Sequence, residues 1–290
     1  MSPVATIQRA IAALLAAQAA DGSFRDFALG IGASGPWVTA HVGARLASLP
    51  PRYRDEGVAA AIARAARYLD EHRWAYNEHA PADADSIAHA LIFFGLVGER
   101  RPEAARALAG HQLAGGGFAT FQPGTYASWT RAHPDVTPVA VRALAPYGAD
   151  DAISRALPHR HGVRAAFWWD LDWYTTAMWV DACAALAVPF DPAPAPVASE
   201  APRTLLDAAY LFAIACAAGW HTLVDELADR LLAAATPAGL WPPSRVLRVT
   251  APDAPEPWTL AGEAGGRLYA DIRGVYSTAV IAAVLADWWR

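Results

Sequence analysis

The sequence contains no lysine, so all 23 of its basic residues are arginines. This absence excludes a mechanism that depends on a Schiff-base lysine or on the lysine of a phosphate-binding loop. The formal net charge is −5, which leaves no surplus of positive charge to neutralise a phosphate backbone. We therefore expect no nucleic-acid partner.

Cysteines and long apolar runs are also scarce. The two cysteines, Cys183 and Cys216, each lie within an apolar helical pattern, which is typical of buried free thiols in a reducing compartment. Gln, Arg, Asp or His interrupts every apolar run before it reaches the ~18 residues that suggest a membrane span. The first residues carry no basic leader and are predicted to form a helix of the folded protein. Together these absences predict a cytoplasmic protein.

The sequence is instead rich in apolar segments that repeat. Six segments begin with small hydroxyl or acidic residues and continue with Ala and bulky apolar residues. Each predicts a helix that is apolar nearly all round and therefore buried. Their equivalent positions, about 48 residues apart on average, are Thr39, Ser86, Thr137, Thr176, Ala208 and Thr278.

More amphipathic, Arg-containing segments lie between the six apolar ones and can shield them from water. Six inner and six outer helices that alternate along the chain predict an all-α fold, an (α/α)6 barrel or toroid. We expect one such domain over residues 1–290. The Pro-rich stretch at 190–202 is then a connection within the barrel and not a domain boundary.

A shorter repeat supports the barrel. A glutamine, a glycine four residues later and an aromatic residue two positions further on occur twice, and a third copy lacks the glutamine. The glycine permits a sharp turn after a helix, and the glutamine is predicted to cap the end of that helix. The three copies are Gln18, Gly22 and Phe24; Gln112, Gly116 and Phe118; and Ala235, Gly239 and Trp241.

These turns and one acidic motif carry a resemblance to a known family. The turns are similar to the Gln-Trp repeats of the squalene–hopene cyclase-like branch of the terpenoid cyclase and prenyltransferase toroid family. The stretch PADADSIAHAL is similar to the Asp-x-Asp-Asp-(Thr/Ser)-Ala motif of class II terpene cyclases. By position Asp83 matches the first aspartate, and Asp85 matches the middle one, which protonates an alkene or epoxide in that family. Ser86 stands where the second of the adjacent aspartates is expected.

The resemblance implies a cyclase, of the isomerase or lyase type, that acts on a small apolar isoprenoid with Asp85 as the general acid. Class II cyclases usually form the site between two such domains, and this chain is long enough for one. A partner domain or a second copy in a homodimer is therefore expected to close the site. Two alternatives stay open: a cyclase, lyase or hydrolase of a non-terpene natural product on the same barrel, and a non-catalytic prenyl- or lipid-binding protein.

Polar and aromatic residues cluster near the starts of the predicted inner helices, which would gather at one mouth of the barrel. His133 is a candidate to orient or reprotonate the acid, and the alternative is that His133, Pro134 and Asp135 only form a loop and a helix cap. The aromatic members could stabilise a cation through their ring faces without offering a nucleophile. The candidates for substrate contact are Trp37, Trp129, Asp135, Trp168, Trp169, Asp170, Asp172, Trp173, Tyr174 and Tyr276.

Helix capping explains the acidic residues without any catalysis. Asp, Ser and Thr accept hydrogen bonds from the free N–H groups at a helix start, where the helix dipole favours a negative charge. The DADS stretch, however, supplies two carboxylates where one cap would do, and like charges in a dry site raise one pKa. On the sequence alone, Asp85 is either a cap or an acid.

No zinc-binding pattern of Cys and His is found in the sequence, so we expect no metal and no other cofactor. Mg²⁺ would enter only if the substrate were a diphosphate. Carboxylates such as Asp170, Asp172 and Asp271 would then be its ligands at the mouth.

Overall fold

The computed structural model describes residues 2–122, 127–160, 164–190 and 201–289, and this part of the chain contains eleven α-helices. They are α1 (Pro3–Ala17), α2 (Pro36–Ala47), α3 (Glu56–Glu71), α4 (Ala84–Leu96), α5 (Pro102–Ala109), α6 (Val136–Leu144), α7 (Asp150–Ala156), α8 (Tyr174–Leu186), α9 (Leu205–Ala218), α10 (His221–Ala233) and α11 (Val275–Trp288). Two antiparallel pairs join β1 (Ala28–Leu29) to β2 (Gly32–Ala33) and β3 (Arg245–Val249) to β4 (Arg267–Ala270).

Six of the helices form a closed inner ring. Each packs against the next in the order α2, α4, α6, α8, α9 and α11, and α11 closes the ring by packing against α2. These helices are buried nearly all round, as their even apolar character requires; in α11, every residue over 275–283 is buried. The predicted toroid is therefore confirmed. None of the described helices is long and apolar enough to cross a lipid bilayer.

The remaining helices α1, α3, α5, α7 and α10 lie outside the ring. Helix α3 shows why, because its buried residues recur every three or four positions on one face. In the predicted alternation, the sixth outer helix would come between α8 and α9. Residues 191–200 of this interval lie outside the described part of the chain. The predicted Pro-rich connection at 190–202 falls mostly on the same residues.

The glutamines of the repeated turns tie the outer helices together. Gln18 Nε2 donates to Gly22 O of its own turn and to Ala61 O of α3, both at 2.9 Å. Gln112 makes the equivalent pair of bonds to its own turn and to α7. Each glutamine thus cross-links a turn to a neighbouring outer helix. Gln18 is also the C-cap residue of α1, as the sequence predicts, whereas Gly110 and not Gln112 is the C-cap residue of α5.

The threonines near the inner-helix starts anchor the aromatic residues of these turns. Thr39 Oγ1 accepts the Phe24 N–H at 2.9 Å, and Thr137 Oγ1 accepts the Phe118 N–H at 3.0 Å. In the third turn, Thr278 Oγ1 accepts the Trp241 N–H in the same way. All three threonines lie inside their helices, so the expectation that hydroxyl residues cap these helices is wrong for them.

The long segment between α10 and α11 covers the mouth formed by the starts of the inner helices. The sequence predicts an irregular insert there, but the segment contains the β3–β4 hairpin. The chain before α8 packs on this hairpin, since Asp170 N donates to Val246 O at 2.8 Å and Trp169 pairs with Leu247. The hairpin and the residues that lead into α8 therefore form one cover.

Candidate active site

Asp83 is the residue that starts helix α4. Its Oδ1 accepts the Ser86 N–H at 2.8 Å, and its Oδ2 accepts the Ser86 hydroxyl at 2.7 Å. The backbone of Asp83 is extended, as is usual for an N-cap residue. The N-cap role therefore belongs to Asp83, and Ser86 holds that carboxylate from within the first turn. Asp85 lies inside the helix and does not cap it.

We expect Asp83→Ala to lower the free energy of unfolding by about 1–3 kcal/mol, because it removes the cap and leaves two buried donors without an acceptor. Asp83→Asn keeps one acceptor and should cost less. Asp55→Ala removes the cap of the outer helix α3, where the Val58 N–H is the only bonded donor, so it serves as the matched control. Urea unfolding measures all three. Equal losses for Asp83→Ala and Asp55→Ala would contradict the buried cap.

The carboxyl group of Asp85 points into the barrel. Its Oδ2 accepts a hydrogen bond from Trp37 Nε1 at 2.8 Å. Its Oδ1 lies 3.7 Å from His89 Nε2, one helical turn further along α4, and the Asp85 side chain is only 14% exposed. Asp85 is therefore held between an indole N–H of α2 and an imidazole of its own helix.

Asp85 differs from the other buried aspartates around this mouth. Five of them accept backbone N–H groups, which is a structural task. Asp85 accepts only the Trp37 indole N–H within the described residues. The five with backbone donors are Asp26, Asp83, Asp135, Asp207 and Asp271.

Burial raises the pKa of Asp85 well above its ordinary value, and the negative charges of Asp83 and Asp135 raise it further. The hydrogen bond from Trp37 acts in the opposite direction. Burial also raises the pKa of Asp83 to about 6, against the lowering effect of its hydrogen bonds to Ser86. Asp85 therefore has the environment that keeps a carboxylic acid protonated near neutral pH.

Five aromatic rings pack together around Asp85, and we call them the aromatic stack: Phe27, Trp37, Trp169, Tyr174 and Tyr276. The centroid of the Trp169 ring lies 5.0 Å from that of Tyr174, 5.3 Å from that of Tyr276 and 5.9 Å from that of Trp37. Each residue of the stack is at most 5% exposed. The structure thus brings together Trp37, Trp169, Tyr174 and Tyr276, as the sequence predicts.

Two histidines lie beneath the stack. His41 stacks on Tyr276 with ring centroids 4.0 Å apart, and it meets His89 edge to face at 4.9 Å. Burial, followed by the positive charges of Arg45 and Arg142, lowers the pKa of His89 to about 3. Both imidazoles are therefore neutral at neutral pH, because the pKa of His41 is also well below its ordinary value through burial.

His133, Asp135, Trp129 and Trp168 form a separate cluster at the same mouth. His133 Nδ1 bonds Thr120 Oγ1 at 2.7 Å, and its Nε2 bonds the Ser128 carbonyl at 3.1 Å. Both ring nitrogens are thus engaged, and no hydrogen bond or ion pair joins His133 to Asp85 within the described residues. The role of His133 toward the acid stays a prediction.

The other members of this cluster hold the chain before α8. Asp135 Oδ2 accepts the Trp168 N–H at 2.8 Å, and the Trp168 ring lies 5.4 Å from that of Trp129. Burial raises the pKa of Asp135 to about 6. Asp135 precedes α6, but its side chain makes no capping bond there.

Asp170 and Asp172 lie at the outer rim of the mouth and face arginines. Arg203 bonds both carboxylates, and Arg248 Nη2 bonds Asp170 Oδ1 at 2.7 Å. Trp173 is 2% exposed and packs in the hydrophobic core, with the Arg164 guanidinium 4.0 Å from its ring centroid. Asp170 and Asp172 therefore belong to a polar rim and Trp173 to the core, and none of the three is a member of the aromatic stack.

The carboxylates proposed for Mg²⁺ are engaged in other contacts. Asp170 and Asp172 bond arginines, and Asp271 accepts the backbone N–H groups of Ser244 and Ser277. Among the described residues, no three His, Cys, Asp or Glu side chains are placed to hold one metal ion.

The sequence reasoning missed His41, His89, Asp26 and Asp207. A signal for the histidines exists, because each lies four residues after a predicted site residue, Trp37 or Asp85, and so lies on the same helix face. No comparable signal marks the two aspartates, whose backbone partners are distant in sequence: Asp26 accepts the N–H of Tyr276, and Asp207 accepts that of Trp173.

No protein-family profile and no curated protein matches this chain. Among solved structures, it is similar to the type II terpene cyclase MstE from Scytonema, with 24% identity, a TM-score of 0.82 and 98% of each chain covered. MstE has also been solved with geranylgeranyl dihydroxybenzoate, its substrate. The chain is similar to ent-copalyl diphosphate synthase from Streptomyces platensis, with 17% identity and a TM-score of 0.57, over 87% of this chain and 50% of the synthase.

An unsaturated glucuronyl hydrolase specific for heparin is similar in fold as well. It shares 11% identity with this chain at a TM-score of 0.56, over 98% of this chain and 94% of the hydrolase. Identities this low establish a shared fold. The chain therefore has the α,α-toroid fold of type II terpene cyclases, a fold that this hydrolase also has.

Proposed function

We propose that this protein is a class II terpene cyclase-like enzyme in which Asp85 protonates a small apolar isoprenoid and so starts its cyclisation. The observation that supports the proposal most strongly is that Asp83 and Asp85 make different contacts. Asp83 caps α4 and makes the helix-start contacts, so the largely buried Asp85 makes no hydrogen bond to the described residues beyond that from the Trp37 indole N–H.

A general acid needs a proton at the working pH, and the surroundings of Asp85 supply this condition. Burial and the neighbouring carboxylates favour its neutral form. The Trp37 N–H occupies Oδ2, which leaves Oδ1 to carry the proton. His89 lies 3.7 Å from Oδ1 and is neutral, so it does not stabilise the anion as an ion pair would.

The aromatic stack suits the charge that such a reaction creates. Proton transfer from Asp85 to an alkene forms a C–H bond and leaves a carbocation, which a neighbouring alkene attacks to close a ring. Loss of a proton from the last cation restores neutrality, so substrate and product are isomers. Ring faces of Trp and Tyr stabilise a cation without adding to it, and a substrate that separated the stacked rings of Trp37, Trp169 and Tyr276 would meet such faces near the acid.

The path to Asp85 runs past Trp169 in our proposal. A cavity of about 580 Å³ lies outside this ring and is lined by Asp170, Arg203, Arg248 and Trp258 among others. Its volume is in the range of small-molecule sites. Trp169 precedes α8 and is carried by the cover, so its movement would join this cavity to the aromatic stack without displacing an inner helix.

The cover belongs to the same chain, and Trp169, which it carries, packs against Trp37 beside Asp85. The predicted closure of the site by a partner domain or second copy stays a prediction. A cytoplasmic location and the extent of one domain over residues 1–290 also remain parts of this proposal.

Incubation with a set of isoprenoids tests the function. The set contains farnesyl and geranylgeranyl diphosphates, squalene, its epoxide and geranylgeranyl dihydroxybenzoate, with products identified by mass spectrometry. We expect an isomer of at least one substrate with fewer double bonds. Release of diphosphate or a water adduct would favour the lyase or hydrolase alternative. Tight binding with no product from any of them would favour the prenyl-binding alternative.

The raised pKa of Asp85 predicts a pH dependence of stability. Between the ordinary aspartate value of 3.8 and the higher pKa in the folded state, the folded protein keeps a proton that the unfolded chain loses. The stability of the wild type should therefore fall, relative to Asp85→Asn, as the pH rises through this window, by up to about 1.4 kcal/mol per pH unit. Urea unfolding of both proteins across the pH range measures the difference.

A constant difference between the two proteins across pH would contradict the raised pKa. Asp151→Asn, at an exposed position of α7, controls for the substitution itself. The comparison with Asp85→Asn is needed because the neutral histidines act in the opposite direction. Since the folded-state pKa values of His89 and His133 are lowered to about 3 and about 4, they make stability rise with pH until the unfolded histidines are neutral.

A further inference from the structure

A second large cavity lies at the end of the barrel opposite to the cover. It has a volume of about 720 Å³, and the C-terminal halves of all six inner helices line it. Its floor is formed by His41, His89 and Tyr210. Asp85 and the aromatic stack lie beyond this floor, so the cavity is separate from the proposed catalytic site.

The walls of this cavity are apolar, and its rim is apolar in part. Alanines from four of the helices, with Met178 and Phe212, form the shaft. Leu96 and Trp288 at its opening are each 40% exposed, although large apolar side chains are ordinarily buried. A shaft of this volume and composition fits an apolar chain.

One cation in the shaft, Arg45, has no partner in the part of the chain that the structure describes. Arg45 lines the cavity from the last turn of α2, and its guanidinium makes no hydrogen bond or ion pair with any other described residue. The neighbouring Arg142 is neutralised by an ion pair with Asp181. The acidic Asp287 lies at the exposed rim, where water screens its charge.

An unpartnered polar atom at the floor points to the same kind of ligand. His41 is 1% exposed, and its Nε2 atom lacks a hydrogen-bond partner among the described residues, whereas the Nε2 atom of His89 faces Asp85 Oδ1. Native proteins bond most of their buried polar atoms. Burial is the main cause that lowers the pKa of both imidazoles, and the charges of Arg45 and Arg142 lower it further.

The C-termini of six helices carry partial negative charge at this end of the barrel, and arginines in the last turn normally compensate it. Arg45 therefore has a structural role available to it. An arginine on the outside of the helix, where water solvates it, would compensate this charge equally well, however. Its position inside a shaft, one turn above an unpartnered imidazole, is the feature that a bound anion explains.

We infer that this axial cavity binds an apolar carboxylic acid, with its carboxylate on Arg45 and its hydrocarbon chain along the shaft. One guanidinium matches one carboxylate through two parallel hydrogen bonds. A diphosphate would carry more negative charge than this single unpaired cation can balance. The site goes beyond the proposed function, because it does not include Asp85 and its occupancy does not require cyclisation.

Calorimetric titration with farnesoic acid and with farnesol tests the site, since the two share a chain and differ in the charged head. We expect the acid to bind about 10–100-fold more tightly than the alcohol. Arg45→Met and Arg45→Gln should each reduce this ratio to within a few fold and leave farnesol binding unchanged. Arg67→Met, at an exposed position of α3, should leave the ratio unchanged.

Two further variants locate the binding. Ala213→Trp places a large ring in the shaft and should abolish binding of both probes, with thermal unfolding used to verify the fold. Asp85→Asn should leave farnesoic acid binding unchanged, so the result does not depend on whether the protein is a cyclase. Equal affinities of acid and alcohol, or a ratio that Arg45→Met leaves intact, would overturn the inference. Farnesyl diphosphate bound ten-fold more tightly than farnesoic acid would overturn the carboxylate assignment.

Discussion

Asp85→Asn is expected to lower turnover of the true substrate by about 10²–10⁴-fold and to leave the protein folded. The amide oxygen can still accept the Trp37 N–H that Asp85 accepts now. The amide has no acidic proton, however, so the first step of the proposed reaction is lost. Stability should hold because Asp83 makes the capping bonds of α4, and the substitution also removes a group whose ionisation is opposed by burial.

Asp83→Asn is the matched comparison, since it changes the neighbouring buried carboxyl in the same way. We expect a smaller loss of turnover than for Asp85→Asn and a larger loss of stability. Product formation is followed by mass spectrometry, and folding by circular dichroism and thermal unfolding. If the two variants lost turnover equally, Asp85 would not be distinguished as the acid, and the two carboxyls would have to act as a unit.

Gly116→Ala is expected to destabilise the protein by about 2–4 kcal/mol, a large effect for one methyl group. Gly116 has a φ of +90°, and a Cβ there would clash with the Arg155 carbonyl of α7. The turn cannot move away easily, because Gln112 bonds both the turn and α7. The substitution should therefore disrupt a cross-link between two outer helices.

Gly115→Ala provides a control one residue away. A Cβ on Gly115 meets nothing within 4 Å, and its φ is not in the left-handed region. Its effect should stay within about 0.5 kcal/mol. Urea unfolding separates the two variants. Similar small losses for both would show that this turn does not hold α5 to α7 as described.

The toroid could be predicted from the sequence because its signals are local and repeated. An apolar helix such as α11 is buried wherever it lies, and the glycine in each repeated turn, for example Gly22 with φ +90°, marks a conformation that few other residues adopt. The β3–β4 hairpin could not be predicted in this way. It occurs once, among prolines and glycines, so no repeated sequence pattern indicates it.

The site could be predicted only in part. Common helix direction brings Trp37, Asp85, Tyr174 and Tyr276 to one mouth, and that follows from the repeat. The choice between cap and acid does not follow from it, since Asp83 and Asp85 have the same chemistry and only the turn geometry assigns the cap to Asp83. The pairing of Asp170 with Arg248 joins positions far apart in the chain, which no local pattern predicts.

The toroid fold by itself does not decide the function, because a glucuronyl hydrolase has it as well. The proposed function depends instead on the contacts of Asp85. A protonated carboxyl surrounded by aromatic faces can start a cationic cyclisation, whereas glycoside hydrolysis ordinarily uses a pair of carboxyl groups around a polar sugar. The packing of Trp37, Trp169 and Tyr276 beside Asp85 favours the first kind of chemistry.

Turnover in D₂O tests most directly whether this protein protonates its substrate. The isoprenoid set is incubated with the wild-type protein in D₂O, and each product is compared by mass spectrometry with the product formed in H₂O. We predict a cyclic isomer that carries one deuterium at the carbon that Asp85 protonates, and none of this product from Asp85→Asn. A cyclic product without deuterium, or a deuterated product formed equally well by Asp85→Asn, would contradict the assignment of Asp85 as the acid.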